Sequence, residues 1–291
     1  MRTLRSLTAA VLVCASATTL ASCGSTEPRR LLGSIQSGEV ILGSKYDQPG
    51  LGLRNPDKTM TGLDVDIATN VVNIIADSHG WQHPKITWRE TPSPQRETLI
   101  KNGEVDMITG TYSINAGRAK AVDFGGPYLL THQALLVRKD DSSLDSLNDL
   151  AAGRKLCSVS GSTPAQKIKN AFPTVQLQEY DSYSSCVEAL HQKKVDALTT
   201  DATILYGYAS QYQGEFKVVA MNKDDGKPVT NEHYGIGHAK GDQASTDAIN
   251  AALDRLYADG TFDRLLRENL GDDAKVVERG KPGDLSFVNS K

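Results

Sequence analysis

Gly103-Glu104-Val105-Asp106-Met107-Ile108 follows a short helical run at 95–102, and Lys193-Lys194-Val195-Asp196-Ala197-Leu198 follows another at 183–192. Each is the same grammar: a helix, a turn, an Asp-containing apolar strand. Short apolar runs bounded by turn residues read as buried strands. Working outward, 40–43 and 85–88 read as strands, as does 134–137 after a turn at Pro127-Tyr128. Between the first two, Ile67, Val71, Ile74 and Ile75 lie on one helix face. Asp64 and Asp66 stand near its start, the end that favours negative charge.

A second series begins with a short helical piece at 147–150. Strands are predicted at 155–159, 175–178, 195–198 and 216–219, and helices at 165–171, 183–192 and 202–210. From Asp242 a long amphipathic helix runs to a break at Gly260 and resumes to Leu270. Strands alternating with helices predict an α/β fold of parallel sheets covered on both faces. Each series has the size of one small domain, so a cleft between two domains is expected. Its ligand groups should stand at the carboxyl ends of strands.

The amino terminus is of another kind. Arg2 and Arg5 precede an apolar stretch at 7–20, which ends in Leu20-Ala21-Ser22-Cys23. A charged start, a short apolar core and small residues before the cut form an export signal. The core is too short and too rich in Ala, Thr and Ser for a spanning helix. The pattern resembles the bacterial lipoprotein signal, which implies lipid on Cys23 and removal of residues 1–22. An ordinary secreted protein with a chance cysteine is the alternative. Gly24-Ser25-Thr26-Glu27-Pro28 opens a tether expected to span 23–38.

The net charge of −3 becomes −5 once Arg2 and Arg5 leave with the signal. That balance, without a Lys/Arg cluster in the body, gives no support to nucleic-acid binding. Of the four cysteines, Cys157 and Cys186 remain in the body. An even pair in an exported chain reads as a disulfide, with two buried thiols the alternative.

The segments Thr111-Tyr112-Ser113-Ile114-Asn115-Ala116-Gly117-Arg118, Val122-Asp123-Phe124-Gly125-Gly126-Pro127-Tyr128, Gly161-Ser162-Thr163 and Ala258-Asp259-Gly260-Thr261-Phe262 together resemble the solute-binding proteins of polar amino acid ABC importers, over about residues 39–272. Lys45-Tyr46-Asp47-Gln48-Pro49-Gly50-Leu51-Gly52-Leu53 is most similar to actinobacterial members that take glutamate. The resemblance implies a periplasmic-binding-protein-like fold of type II: lobe 1 from 39–132 and 232–275, lobe 2 from 133–231, a two-crossing hinge, and a loosely packed tail at 276–291. It also implies a monomer without cofactor or bound metal. Lipid would hold it at the extracytoplasmic face of the cell membrane, passing L-glutamate or a related polar amino acid to permease subunits.

A guanidinium pairs with a carboxylate through two parallel bonds. Arg118, at the family's carboxylate-binding position, is therefore expected to take the ligand α-carboxylate. Thr111 and Ser113 line the same subsite in the family, and Ser162 and Thr163 face it from the other lobe, unless they only cap the helix that follows. Asp201, just past a strand, is expected to take the α-ammonium, or else to cap a helix. Arg96 and Lys45 match positions that meet a distal carboxylate in acidic-amino-acid members. Tyr46 would cover the aliphatic part of the ligand or simply pack. Glutamine or another polar amino acid is the alternative ligand. An amino acid sensor and a dehydratase-like enzyme on the same fold are further alternatives. The six histidines form no His-x-x-x-His or His-Glu-x-x-His set, and Ser160-Gly161-Ser162 is not a Gly-x-Ser-x-Gly elbow.

Overall fold

A computed structural model of the chain describes residues 27–146, 149–150, 153–223 and 225–288. The expected signal at 1–22, Cys23 and the first half of the helical piece at 147–150 lie outside the described residues.

Two sheets carry the fold. The larger has the strand order Glu278–Arg279, Asp123–Thr131, Glu232–His238, Met107–Ile108, Glu39–Ser44, Lys85–Glu90. The second runs Gln176–Tyr180, Lys155–Val159, Ala197–Asp201, Gln133–Arg138, Phe216–Ala220. A third, small sheet joins Asp47–Gln48, Gly52–Arg54 and Met60–Thr61. The larger sheet and its helices form one lobe, and the second sheet with its helices forms the other.

The strands of the repeated grammar are parallel, as expected: Glu39–Ser44 with both neighbours, and Lys155–Val159 with both of its own. The sheets as wholes are mixed, which corrects the all-parallel expectation. Glu232–His238 is antiparallel to both neighbours, and Gln133–Arg138 is antiparallel to Ala197–Asp201 and Phe216–Ala220. These are the strands by which the chain passes between sheets. A parallel neighbour needs a long crossover, whereas only His132 separates Asp123–Thr131 from Gln133–Arg138.

Asp123–Thr131 also replaces the expected turn at Pro127-Tyr128. Proline cannot donate to a ladder. The partner strand shifts register there, from Tyr234↔Leu129 to Ile236↔Gly125, so no donor is needed from Pro127. Two further expectations change at the ends. Within the tether, Leu31–Ser37 is a helix, because Leu31 and Ile35 share a face and are buried. The tail is docked rather than loose: Glu278–Arg279 pairs with Asp123–Thr131, Gly283 donates to the Gly126 carbonyl at 2.8 Å, and Phe287 stacks on His233 with centroids 3.7 Å apart.

The helix Leu63–His79 buries Leu63, Ile67, Val71, Val72 and Ile75 against the first lobe. Each such side chain contributes about 1.5–3 kcal/mol when removed from water. It ends at Gly80, in the left-handed conformation that glycine adopts without strain. In the second lobe Cys157, on Lys155–Val159, is bonded to Cys186, on Tyr183–His191, across 29 positions. A loop of that length stabilises the fold by about 3–4 kcal/mol in the chain-entropy account. Both cysteines belong to one lobe, so the bond does not restrict movement between lobes.

The two chain crossings run side by side. The Gln133 backbone N–H donates to Thr230 Oγ1 at 2.9 Å, and the Ala202 N–H donates to the His132 carbonyl at 2.7 Å.

Candidate functional site

Charged groups gather where strands of both sheets end. Lys45 follows Glu39–Ser44, Thr111 and Ser113 follow Met107–Ile108, Ser162 and Thr163 follow Lys155–Val159, and Asp201 closes Ala197–Asp201. All but Thr163 are buried. Arg96 opens the helix Arg96–Lys101 and is 2% exposed.

Arg118 ties the lobes together. Asn115 caps the short helix Ala116–Ala119 by accepting from the Arg118 N–H, which fixes the arginine's starting point. Its Nη1 donates to the Ser113 carbonyl at 2.7 Å and to Thr163 Oγ1 at 3.0 Å. Its Nη2 donates to the Gly161 carbonyl at 3.1 Å, and Nε lies 3.3 Å from Glu97 Oε1. Gly161 sits against Pro94: a Cβ at 161 would lie 2.8 Å from Pro94 Cα.

Arg96 Nη1 donates to the Gly110 carbonyl at 3.0 Å. The Tyr112 ring lies between two cations, with the Arg96 guanidinium at 4.2 Å and that of Arg118 at 5.0 Å from its centroid. Lys45 Nζ donates to Ser93 Oγ at 2.8 Å. Burial, with Arg96 alongside, lowers the Lys45 ammonium to about 7. Burial and the neighbouring Arg118 lower Arg96 to about 10.

Asp201 occupies the N-cap position of Ala202–Gln211 but makes no capping bond. Its Oδ2 instead accepts from the Tyr234 hydroxyl at 2.6 Å. Burial, and then the nearby Glu232, raise it to about 8. Glu232 itself is ion-paired with Lys167 across the lobes. Ser162 does cap its helix, accepting from the Ala165 N–H at 3.2 Å, and leaves Thr163 to meet Arg118. Tyr46 is half-buried, with the Arg54 guanidinium 5.3 Å over its ring, and has no described contact with the other candidates.

Four further residues, Asp64, Tyr128, Tyr183 and Tyr234, belong to this place. Asp64 is fully buried; its Oδ2 accepts from the Thr111 N–H at 2.8 Å and its Oδ1 from the Tyr128 hydroxyl at 2.5 Å. Burial raises its carboxyl to about 6. Thr111 thus holds a left-handed backbone, φ +46°, against a buried carboxylate. Tyr183, 4% exposed, lies in the second lobe near Asp201, and burial, then the Asp201 charge, hold its phenol well above the usual range. Tyr128 and Tyr234, with centroids 6.2 Å apart, link Asp64 to Asp201. Among the described residues, Asp201 Oδ1, Arg96 Nε and Gln48 Nε2 are buried without a hydrogen-bond partner. Buried polar atoms without partners are rare, and these three stand within or beside the charged cluster, where a ligand or water could meet them.

A groove of about 470 Å³ runs along the junction, lined by Glu97, Arg118, Gly161, Ser162, Thr163 and Lys167 among others. A larger cavity of about 700 Å³ lies beside the hinge, but Lys45, Arg96, Arg118 and Asp201 do not line it. The charged cluster therefore decides the site, not cavity size. No group of His, Cys, Asp and Glu among the described residues could hold a metal ion.

Charged groups from two lobes that close on one buried place, beside a two-stranded hinge, make a two-lobed receptor for a small polar solute. The chain belongs to the bacterial extracellular solute-binding proteins, family 3, whose model matches residues 40–272. It is 68% identical over 273 residues to the glutamate-binding protein GluB of Corynebacterium glutamicum, covering 94% of this chain and 92% of that one. It is 34% identical to the ABC transporter glutamine-binding protein GlnH of Bacillus subtilis, over 87% of this chain and 93% of the relative. Among solved structures, an ancestral arginine-binding protein bound to glutamine superposes with a TM-score of 0.70 at 28% identity, covering 81% of this chain and 99% of that one. The protein is an extracytoplasmic solute receptor of an ABC transporter and not an enzyme.

Proposed function

We propose that this receptor captures L-glutamate between its lobes and delivers it to the permease from a lipid anchor at Cys23. The observation that carries the ligand is the charge balance of the site. Arg118 is paired with Glu97, whereas the buried cations Lys45 and Arg96 and the buried Asp201 carboxylate form no ion pair among the described residues, and the buried Asp64 is held by Thr111 and Tyr128. A ligand with two carboxylates and one ammonium is the matching charge set. The likeness to GluB supports the same reading.

In this reading Asp201 takes the ammonium with its partnerless Oδ1. Arg118 takes the α-carboxylate, which would replace Gly161 and Thr163 as acceptors, so that the ligand bridges the lobes where the arginine does now. Thr111, Ser113, Ser162 and Thr163 supply hydroxyls and backbone groups around it. Lys45 and Arg96 take the distal carboxylate, and Tyr46 flanks the entrance. Glutamine would leave Lys45 without its anion, and aspartate would reach one cation poorly.

The test is a calorimetric or thermal-shift screen of the twenty amino acids on ligand-stripped protein. L-Glutamate should bind best, then L-aspartate, with L-glutamine weaker. Tighter binding of glutamine than glutamate would overturn the pocket assignment.

A further inference from the structure

The small sheet stands between the lobes. It follows Glu39–Ser44 and leads into the helix Leu63–His79 of the first lobe, while its strand Asp47–Gln48 meets the helices Tyr183–His191 and Ala202–Gln211 of the second. Asp47 makes the contact. Its Oδ2 accepts from the Ser184 N–H at 3.1 Å, in the first turn of Tyr183–His191. First-turn N–H groups lack intrahelical partners and favour a carboxylate. The Tyr208 hydroxyl donates to the Asp47 carbonyl at 2.5 Å and lies 3.3 Å from Oδ2, and Tyr208 is 2% exposed.

Two residues on, the Pro49 carbonyl faces Gly207. A Cβ at 207 would lie 2.3 Å from that oxygen. Gly207 is inside a helix, where glycine is about 1 kcal/mol less favourable than alanine. Its missing side chain serves the approach of Pro49. Asp47, Gly207 and Tyr208 are outside the set that would hold the ligand.

We propose that Asp47, Tyr208 and Gly207 form a latch that sets how long the lobes stay closed, governing ligand release through its geometry, not its charge, and without touching the ligand. The proposal rests on the receptor reading and uses L-glutamate only as a probe. Because the Asp47 charge also reaches Lys45, charge and latch must be separated. Tyr208→Phe removes a latch donor without changing charge. Asp47→Asn removes the charge and keeps an acceptor for Ser184. Gly207→Ala blocks the approach sterically.

Spin labels on exposed positions of the two lobes would report interlobe distance with and without L-glutamate, and stopped-flow would give the rate constants. Gly207→Ala should lose the closed distances and release glutamate at least about tenfold faster. Tyr208→Phe should release it about two- to tenfold faster, the worth of one hydrogen bond, with the association rate unchanged. Asp47→Asn should release it at nearly the wild-type rate. Wild-type closed distances and release rates in both Gly207→Ala and Tyr208→Phe would overturn the latch. Failure of the ligand reading would look different: glutamate would leave the wild-type distances unmoved, and the ligand-free closed population of the variants would then decide the latch alone.

Discussion

Affinity for glutamate should peak between about pH 7 and pH 8, with limbs that fall away on both sides for different reasons. Glutamate needs Lys45 charged for its distal carboxylate and Asp201 charged for its ammonium. Lys45 is lowered to about 7, by burial first and by Arg96 next, and Asp201 is raised to about 8, by burial first and by Glu232 next. Below pH 7 Lys45 is already charged and Asp201 is neutral, so binding releases a proton and tightens as pH rises, by up to about tenfold per unit. Above pH 8 Asp201 is ionised and Lys45 is neutral, so binding takes up a proton and weakens as pH rises, with the same limiting slope. Between the two values the effects oppose each other and the profile is flat. The shift of Lys45 from 10.5 to about 7 corresponds to about 5 kcal/mol against its charged form, which a bound anion would act to offset. Calorimetry in buffers of different ionisation enthalpy counts the protons directly. Asp201→Asn should flatten the acid limb and Lys45→Met the alkaline limb. An alkaline limb that survives in Lys45→Met, measured below the pH at which the ligand's own ammonium titrates, would refute the assignment of Lys45.

Arg118→Ala should weaken glutamate binding by about 2–5 kcal/mol, the range for removing one partner of a buried charged pair. Unchanged affinity by calorimetry, in a variant shown folded by circular dichroism, would reject Arg118 as the carboxylate ligand. Cys23→Ala should release the protein from membranes into the medium. Mass spectrometry of the mature amino terminus decides it, and an unmodified residue other than Cys23 there would end the anchor proposal.

Arg118 was read from its place in the family motif, Thr163 from the turn after Lys155–Val159 and Asp201 from the end of a strand; the structure brings Arg118 and Thr163 into contact. The helix Leu63–His79 was legible from its apolar spacing, and Cys157 with Cys186 from their number in an exported chain. Asp64 was read as an acid at a helix start, which it is. Its burial and its bonds to Thr111 and Tyr128 depend on three separate stretches meeting, and no local pattern encodes that. Tyr234 escaped for the same reason: it lies in a strand that returns to the first sheet from the other lobe. The antiparallel strands were hidden because periodicity gives an element's type but not its direction. Leu31 and Ile35, four apart in a stretch opened by Gly, Ser and Pro, were too short a signal to outweigh the composition around them.

The tail strand Glu278–Arg279 lies on the outermost edge of the larger sheet. Without it, Asp123–Thr131 would present a nine-residue border of unpaired backbone groups, and such a border invites another strand. The cover is two residues long and charged, and Arg279 is clamped to Asp263. It is a poor template for further pairing. Receptors crowded side by side would meet at high local concentration, where an open border would zip neighbours together. Residues 278–283 cover that border, which favours separate molecules whose hinges stay free to work in a crowd.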